Sequence, residues 1–207
     1  MAGWMKRTYD AEGVTEYPAG PLLAQVTKGF SSSGAIVLCI DVSYSMKGRN
    51  LDEAKKGGRG FLDDAVAGGY QAGLVLWSSK VDVAVSPSPD GHAARRALER
   101  ASVSGMTNLA PALKSAGEML AATGADDQVC VVFTDGVLTD ADEAIRRAEQ
   151  VKAAGVRVLT IGLGGIAAQG LDDIASEQEP PTRETTTASL AADMRQIASG
   201  LSLRRKP

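Results

Sequence analysis

Short unbroken apolar runs along the chain alternate with longer stretches in which apolar residues recur every three or four positions. The runs at 36–40, 72–77, 128–134 and 156–162 have the length and continuity of strands covered on both faces. The stretches at 50–68, 90–100, 109–123, 140–155 and 188–203 read as helices. In the first of them Leu51, Ala54, Gly58, Phe61, Leu62 and Ala65 recur at helical spacing. Pro111 suits only the first turn of its helix, and Gly124 suits a left-handed stop after it. Asp140, with Glu143 three residues on, has the pattern of a cap on the helix that follows. A short helix is expected at 171–176 and a last strand at 184–187. Only Ser78, Ser79 and Lys80 separate 72–77 from a further strand at 81–85, a link that permits only an antiparallel hairpin.

Strands alternating with helices predict an α/β fold: three layers, doubly wound, with a mostly parallel central sheet and 81–85 as its antiparallel edge strand. That domain is expected over 34–203. Residues 1–33 show no clear period and end in a Gly/Ser-rich stretch, so they read as an arm or a partner-binding extension. Residues 204–207 read as a basic tail.

Composition narrows the function classes. The 207 residues carry a net charge of −3 with 44% hydrophobic residues, which offers no basic surplus for nucleic acid or an anionic membrane. Only 4% are aromatic, too few for a base-stacking platform. Cys39 and Cys130 fall inside apolar runs and read as buried thiols; with a single histidine, His92, they cannot build a Cys/His zinc site. No apolar stretch is long enough to span a bilayer, and 1–10 lacks the apolar core of a secretory signal. The expectation is a soluble, cytoplasmic protein.

The candidate chemistry begins where the 36–40 run stops at Asp41, with Ser43 and Ser45 at the next alternate positions. Three oxygen groups at the end of a buried strand suit a hard cation, or simply a capped turn. Ligands of doubly wound sheets sit outside the carboxyl ends of the strands, where Asp41 and Asp135 both fall. Thr107 adds a hydroxyl from the loop at 102–108. An enzyme would use Asp41 as a phosphoryl-accepting nucleophile, but the acid usual two positions on is replaced by Ser43. His92, near the start of a polar helix, reads as an exposed residue rather than a general base. Gly162 to Ala167 fits G-x-G-x-x-A after a strand, yet no βαβ unit with a well-placed acid follows, so a glycine-rich turn is expected.

Asp41-Val42-Ser43-Tyr44-Ser45, Gly105-Met106-Thr107-Asn108-Leu109 and Phe133-Thr134-Asp135-Gly136 resemble, in order, the three segments of a von Willebrand factor type A domain. The resemblance covers roughly 34–203. In that family these segments form the metal-ion-dependent adhesion site. The resemblance implies that Ser43 and Ser45 bind Mg²⁺ directly, with Mn²⁺ or Ca²⁺ as substitutes. It implies that Asp41 acts through water or hydrogen bonds, and that Thr107 and Asp135 exchange direct and water-mediated coordination. It further implies an adaptor-like protein-interaction module, not an enzyme, whose partner supplies an Asp or Glu carboxylate. Met106 departs from the glycine many members carry, a change able to shift the Thr107 loop; Ala110-Pro111 is also less usual. The alternatives are a metal-dependent phosphohydrolase built on Asp41, and a domain that has lost metal-dependent binding.

Overall fold

In the computed structural model, residues 34–176 and 182–203 are described. The expected arm at 1–33 and tail at 204–207 lie outside them. The elements are β1 (Gly34–Asp41), a 3-10 turn (Tyr44–Met46), α1 (Arg49–Ala67), β2 (Tyr70–Trp77), β3 (Val81–Ser88), α2 (His92–Glu99) and α3 (Ala110–Ala121). They continue with β4 (Asp127–Thr134), α4 (Ala141–Ala153), β5 (Arg157–Leu163), α5 (Gly165–Gln169), β6 (Arg183–Thr185) and α6 (Leu190–Leu203).

The strands form one sheet in the order β3-β2-β1-β4-β5-β6. Every pairing is parallel except β2 with β3, so the hairpin supplies the antiparallel edge expected of it. All eight residues of β1 are buried, which explains why its sequence is continuously apolar rather than alternating. Ile36, Leu38 and Ile40 enter a core with residues of α1, α2 and α6, whereas Ala35, Val37 and Cys39 enter a second core with residues of α3 and α4. Two cores flanking one sheet make the three layers. The chain runs outward from β1 to β2 and β3, then returns to add β4 on the other side of β1. The strand order therefore reverses between β1 and β4, and the crevice at their carboxyl ends is where such sheets place ligands.

Glycines in α1 cost helix propensity, about 1 kcal/mol each relative to alanine. A Cβ on Gly57 would lie 2.7 Å from Met194 Sδ, and one on Gly58 would lie 2.9 Å from Ile40 Cδ1 and from Leu98 Cδ2. Close packing of α1 on the sheet and on α6 is what that cost permits. Cys39 and Cys130 are free buried thiols whose sulfurs approach to 3.8 Å. Their mutual contact, aided by burial, holds the Cys39 thiol well above its ordinary pKa.

Two local expectations need correction. Asp140 makes no side-chain cap on α4. Its carboxylate instead accepts hydrogen bonds from Leu109 N (2.9 Å) and Ala110 N (2.8 Å), at the start of α3. Those amides have no partner within their own helix, and an anion at the positive end of the helix dipole satisfies both. Asp140→Ala should therefore lower unfolding free energy in urea by about 1–2 kcal/mol, and Asp140→Asn should lower it by less. The helix expected at 171–176 also moves: α5 forms earlier, at Gly165–Gln169, directly after the turn at Gly164. Leu171 and Ile174 are buried, but from turns.

Candidate metal centre

The site is built from the last residue of β1 onward. Asp41 is fully buried, and both of its oxygens are engaged. Oδ1 accepts from the backbone of Ser43 (2.7 Å) and Oδ2 accepts from the Thr134 hydroxyl (2.5 Å). The first bond tightens the turn that carries the serines; the second ties it to the end of β4. Ser43 Oγ lies 2.9 Å from Ser45 Oγ, and Ser45 Oγ donates to Asp135 Oδ1 at 2.6 Å. Asn50, at the start of α1, donates through Nδ2 to Asp135 Oδ2 at 2.8 Å.

The Thr107 loop is laced to the other two. Ser104 N donates to Val42 O (2.7 Å), Tyr44 N to Gly105 O (3.2 Å), and Thr139 N to Thr107 O (2.9 Å). A Cβ added to Gly136 would meet Ser45 Oγ and Thr107 Oγ1, each at 3.4 Å. Thr107 therefore presents its hydroxyl to the same small space as Ser45 and Asp135. Met106 does not push the loop away: its amide donates to Ser79 Oγ at 2.8 Å and its side chain is largely exposed. All five residues singled out in the sequence, Asp41, Ser43, Ser45, Thr107 and Asp135, are brought together at the switch point.

Two further residues complete the network. Thr134 could have been noticed, since it directly precedes Asp135 at the end of an apolar run. Asn50 carries no local signal, because its role depends on how α1 docks.

Burial lifts the Asp41 carboxyl from an ordinary 3.8 to about 6; the Thr134 and Ser43 hydrogen bonds oppose that rise, and the nearby Asp135 charge adds to it. A carboxyl whose pKa is higher in the fold than in the unfolded chain favours folding while it is protonated. Its contribution is full below about pH 4 and is lost as pH rises through about 6, on the order of 3 kcal/mol in total. Metal-free protein should show this loss between pH 4 and 7 in urea melts. Asp41→Asn should flatten that part of the profile, and an unchanged profile would show that Asp41 does not titrate there.

The donor set is two carboxylates and three hydroxyls, the hard oxygens that Mg²⁺, Mn²⁺ or Ca²⁺ prefers. No three His, Cys, Asp or Glu side chains cluster among the described residues, so any cation held here would rely on the hydroxyls. His92 is exposed at the start of α2, with Nδ1 2.9 Å from Arg95 Nη2, and takes no part.

The glycine-rich segment behaves differently from the expectation in one respect. β6 is parallel to β5, so a βαβ unit does follow it, and Glu184 on β6 faces Gly165. However, the space above Gly162 is filled by the backbone of α5 itself, 2.4 Å from where a Cβ would stand. A dinucleotide phosphate has no cradle there.

A six-stranded doubly wound sheet with oxygen donors from three loops at its switch point defines a class, and the von Willebrand factor type A domain family model matches residues 35–199. The chain belongs to that family. Among curated proteins none matches. Solved structures match in fold. The von Willebrand factor domain of the type V pili tip protein Mfa5 from Porphyromonas gingivalis is 16% identical, with a TM-score of 0.76 over 84% of this chain and 97% of that one. The pilus adhesin SpaC from Lactobacillus rhamnosus GG is 17% identical, with a TM-score of 0.71 over 82% of this chain and 30% of that one. Proximal thread matrix protein 1 from the mussel byssus, with a zinc-occupied MIDAS motif, is 18% identical, with a TM-score of 0.67 over 82% of this chain and 46% of that one. Two of these are pilus proteins, which lends no support to the expected cytoplasmic placement. No described helix is long and apolar enough to cross a membrane.

Proposed function

We propose that this domain is a Mg²⁺-dependent protein-interaction module that captures an Asp or Glu side chain of a partner through Asp41, Ser43, Ser45, Thr107 and Asp135. One observation carries the reading: the linked hydroxyls of Ser43 and Ser45 run into Asp135, with Thr107 Oγ1 beside them at Gly136. Ser43, Ser45 and Thr107 would hold the ion with neutral oxygens, Asp135 would contribute a carboxylate, and Asp41 would fix the serine turn from beneath. A bound Mg²⁺ would supply positive charge that neutral hydroxyls leave uncompensated, so a carboxylate is the partner group that fits best. The adhesin among the similar structures, and the zinc-occupied site in another, support the reading by likeness of fold.

The phosphohydrolase alternative needs an accessible carboxylate oxygen for attack. Asp41 has no exposed surface, and each of its oxygens already accepts a hydrogen bond, an arrangement suited to positioning rather than nucleophilic attack. A pull-down repeated in Mg²⁺, in EDTA and with Thr107→Ala tests the proposal. The partner should be retained only by the wild type in Mg²⁺; equal retention in all three would contradict it.

A further inference from the structure

The large apolar side chains left exposed among the described residues are Tyr44, Val83, Met106, Val137 and Ile166. A single exposed apolar residue needs no explanation, since much of any protein surface is apolar. Their placement does. Tyr44 (68% exposed) stands between Ser43 and Ser45, Met106 (59%) directly before Thr107, and Val137 (65%) two residues after Asp135. Each of the three loops that bring oxygen donors to the candidate metal centre thus also presents one large apolar side chain to solvent. The loops are held side by side by the Tyr44–Gly105 and Thr139–Thr107 backbone bonds and by the approach of Gly136 to Ser45 and Thr107. The three exposed side chains therefore stand on adjoining loops that share one polar centre.

Charge adds a second constraint. Lys47, directly after the 3-10 turn that holds Tyr44, Arg49, the first residue of α1, and Lys80, beside Ser79 in the β2–β3 turn, are exposed. Their side chains form no ion pair among the described residues, whereas most other cations of the domain are paired. A polar centre bordered by exposed apolar side chains, with unpaired positive charge on adjoining segments, is complementary to an acidic partner segment that also carries apolar side chains.

We propose that Tyr44, Met106 and Val137 form a docking collar for a partner segment in which an Asp or Glu is flanked at close range by large apolar residues. The acid would enter the polar centre, and its apolar neighbours would pack on the collar and exclude water from it. This rests on the proposed carboxylate capture for the acid, but not for the apolar preference. Burial of apolar neighbours against two or three such side chains should raise affinity about tenfold over an acidic segment flanked by glycine and serine.

The test is selection of a displayed library of random dodecapeptides on the purified domain in Mg²⁺, with a parallel selection on Tyr44→Ser/Met106→Ser/Val137→Ser. Circular dichroism and thermal melts first establish that this variant is folded, as exposed sites allow. Wild type should enrich peptides with Asp or Glu next to Leu, Ile, Phe or Met. The variant should still enrich the acid but lose the apolar neighbours, and a selected peptide should bind it about tenfold more weakly. An apolar preference that survives in the variant, an acidic preference without apolar neighbours on wild type, or no enrichment at all would overturn the collar. Apolar enrichment without any acid, unchanged in EDTA, would leave the collar standing while the carboxylate-capture reading fails. Light scattering covers the remaining occupant: a wild-type dimer that becomes monomeric in the variant would assign the collar to a second copy and overturn the proposal.

Discussion

Asp135→Ala should abolish the thermal stabilisation of this domain by Mg²⁺ while leaving the metal-free protein nearly as stable as before. The first half follows from position: Asp135 is the carboxylate on which the Ser45 hydroxyl and the Asn50 amide converge. A cation bound only by the folded state, at a hundredfold excess over its Kd, contributes about 2.7 kcal/mol. For a domain of this size that corresponds to a rise in Tm of about 5–10 °C. The second half follows from exposure. Ser45 is exposed and Asp135 and Asn50 are only half-buried, so water can replace the lost carboxylate, and the cost should stay near 1 kcal/mol. Removing the Asp135 charge also relieves the buried Asp41 carboxyl, whose ionisation that charge opposes. A purely structural Asp135 would give the reverse pattern: a lower Tm without metal and an intact response to it.

Gly162→Ala should be among the most destabilising single substitutions in the domain. Gly162 pairs with Thr134 on β4 and with Glu184 on β6, and an added Cβ would lie 2.4 Å from Ala168 N and 2.5 Å from Ala168 Cα. These are backbone atoms of the segment packed over the strand and cannot swing aside as a side chain would. Either α5 lifts from the sheet or β5 shifts in its ladder. Both outcomes cost about 3 kcal/mol or more, close to 10 °C in Tm. Gly164 provides the control. Its φ of 84° disfavours any side chain, but nothing lies within 4 Å of its Cβ position. Gly164→Ala should therefore cost only the backbone strain of its φ 84°, ψ 157° conformation, about 1–3 kcal/mol. Equal effects at the two positions would mean that the close approach at Gly162 is not what constrains it.

The same segment illustrates what the sequence does and does not make legible. The strands and long helices were readable because each must bury a continuous run or one face, and burial leaves its period in the residues. The site was readable to the same depth: Asp41 and Asp135 end apolar runs, and chemistry placed at strand ends stands out against them. What was not readable depends on contacts between distant segments. The Asp140 side chain lies within reach of two helix starts, its own and that of α3, and local spacing pointed to the nearer in sequence. Asn50 joins the site only because α1 packs closely on the sheet, which its glycines permit. Bulk alone makes Met106 look able to shift the Thr107 loop; with the side chain in solvent and the amide held by Ser79, that bulk has nothing to displace.

Whether the five oxygen groups bind a cation at all is the central question, and Mn²⁺ answers it without reference to any partner. Metal-stripped protein would be titrated with Mn²⁺ and free ion counted by electron paramagnetic resonance, for the wild type and for Ser43→Ala/Ser45→Ala. One ion bound per chain, displaced by excess Mg²⁺ and absent from the double variant, is the expected result. No bound ion in the wild type, or an ion that the double variant retains, would contradict a metal-dependent role for this site.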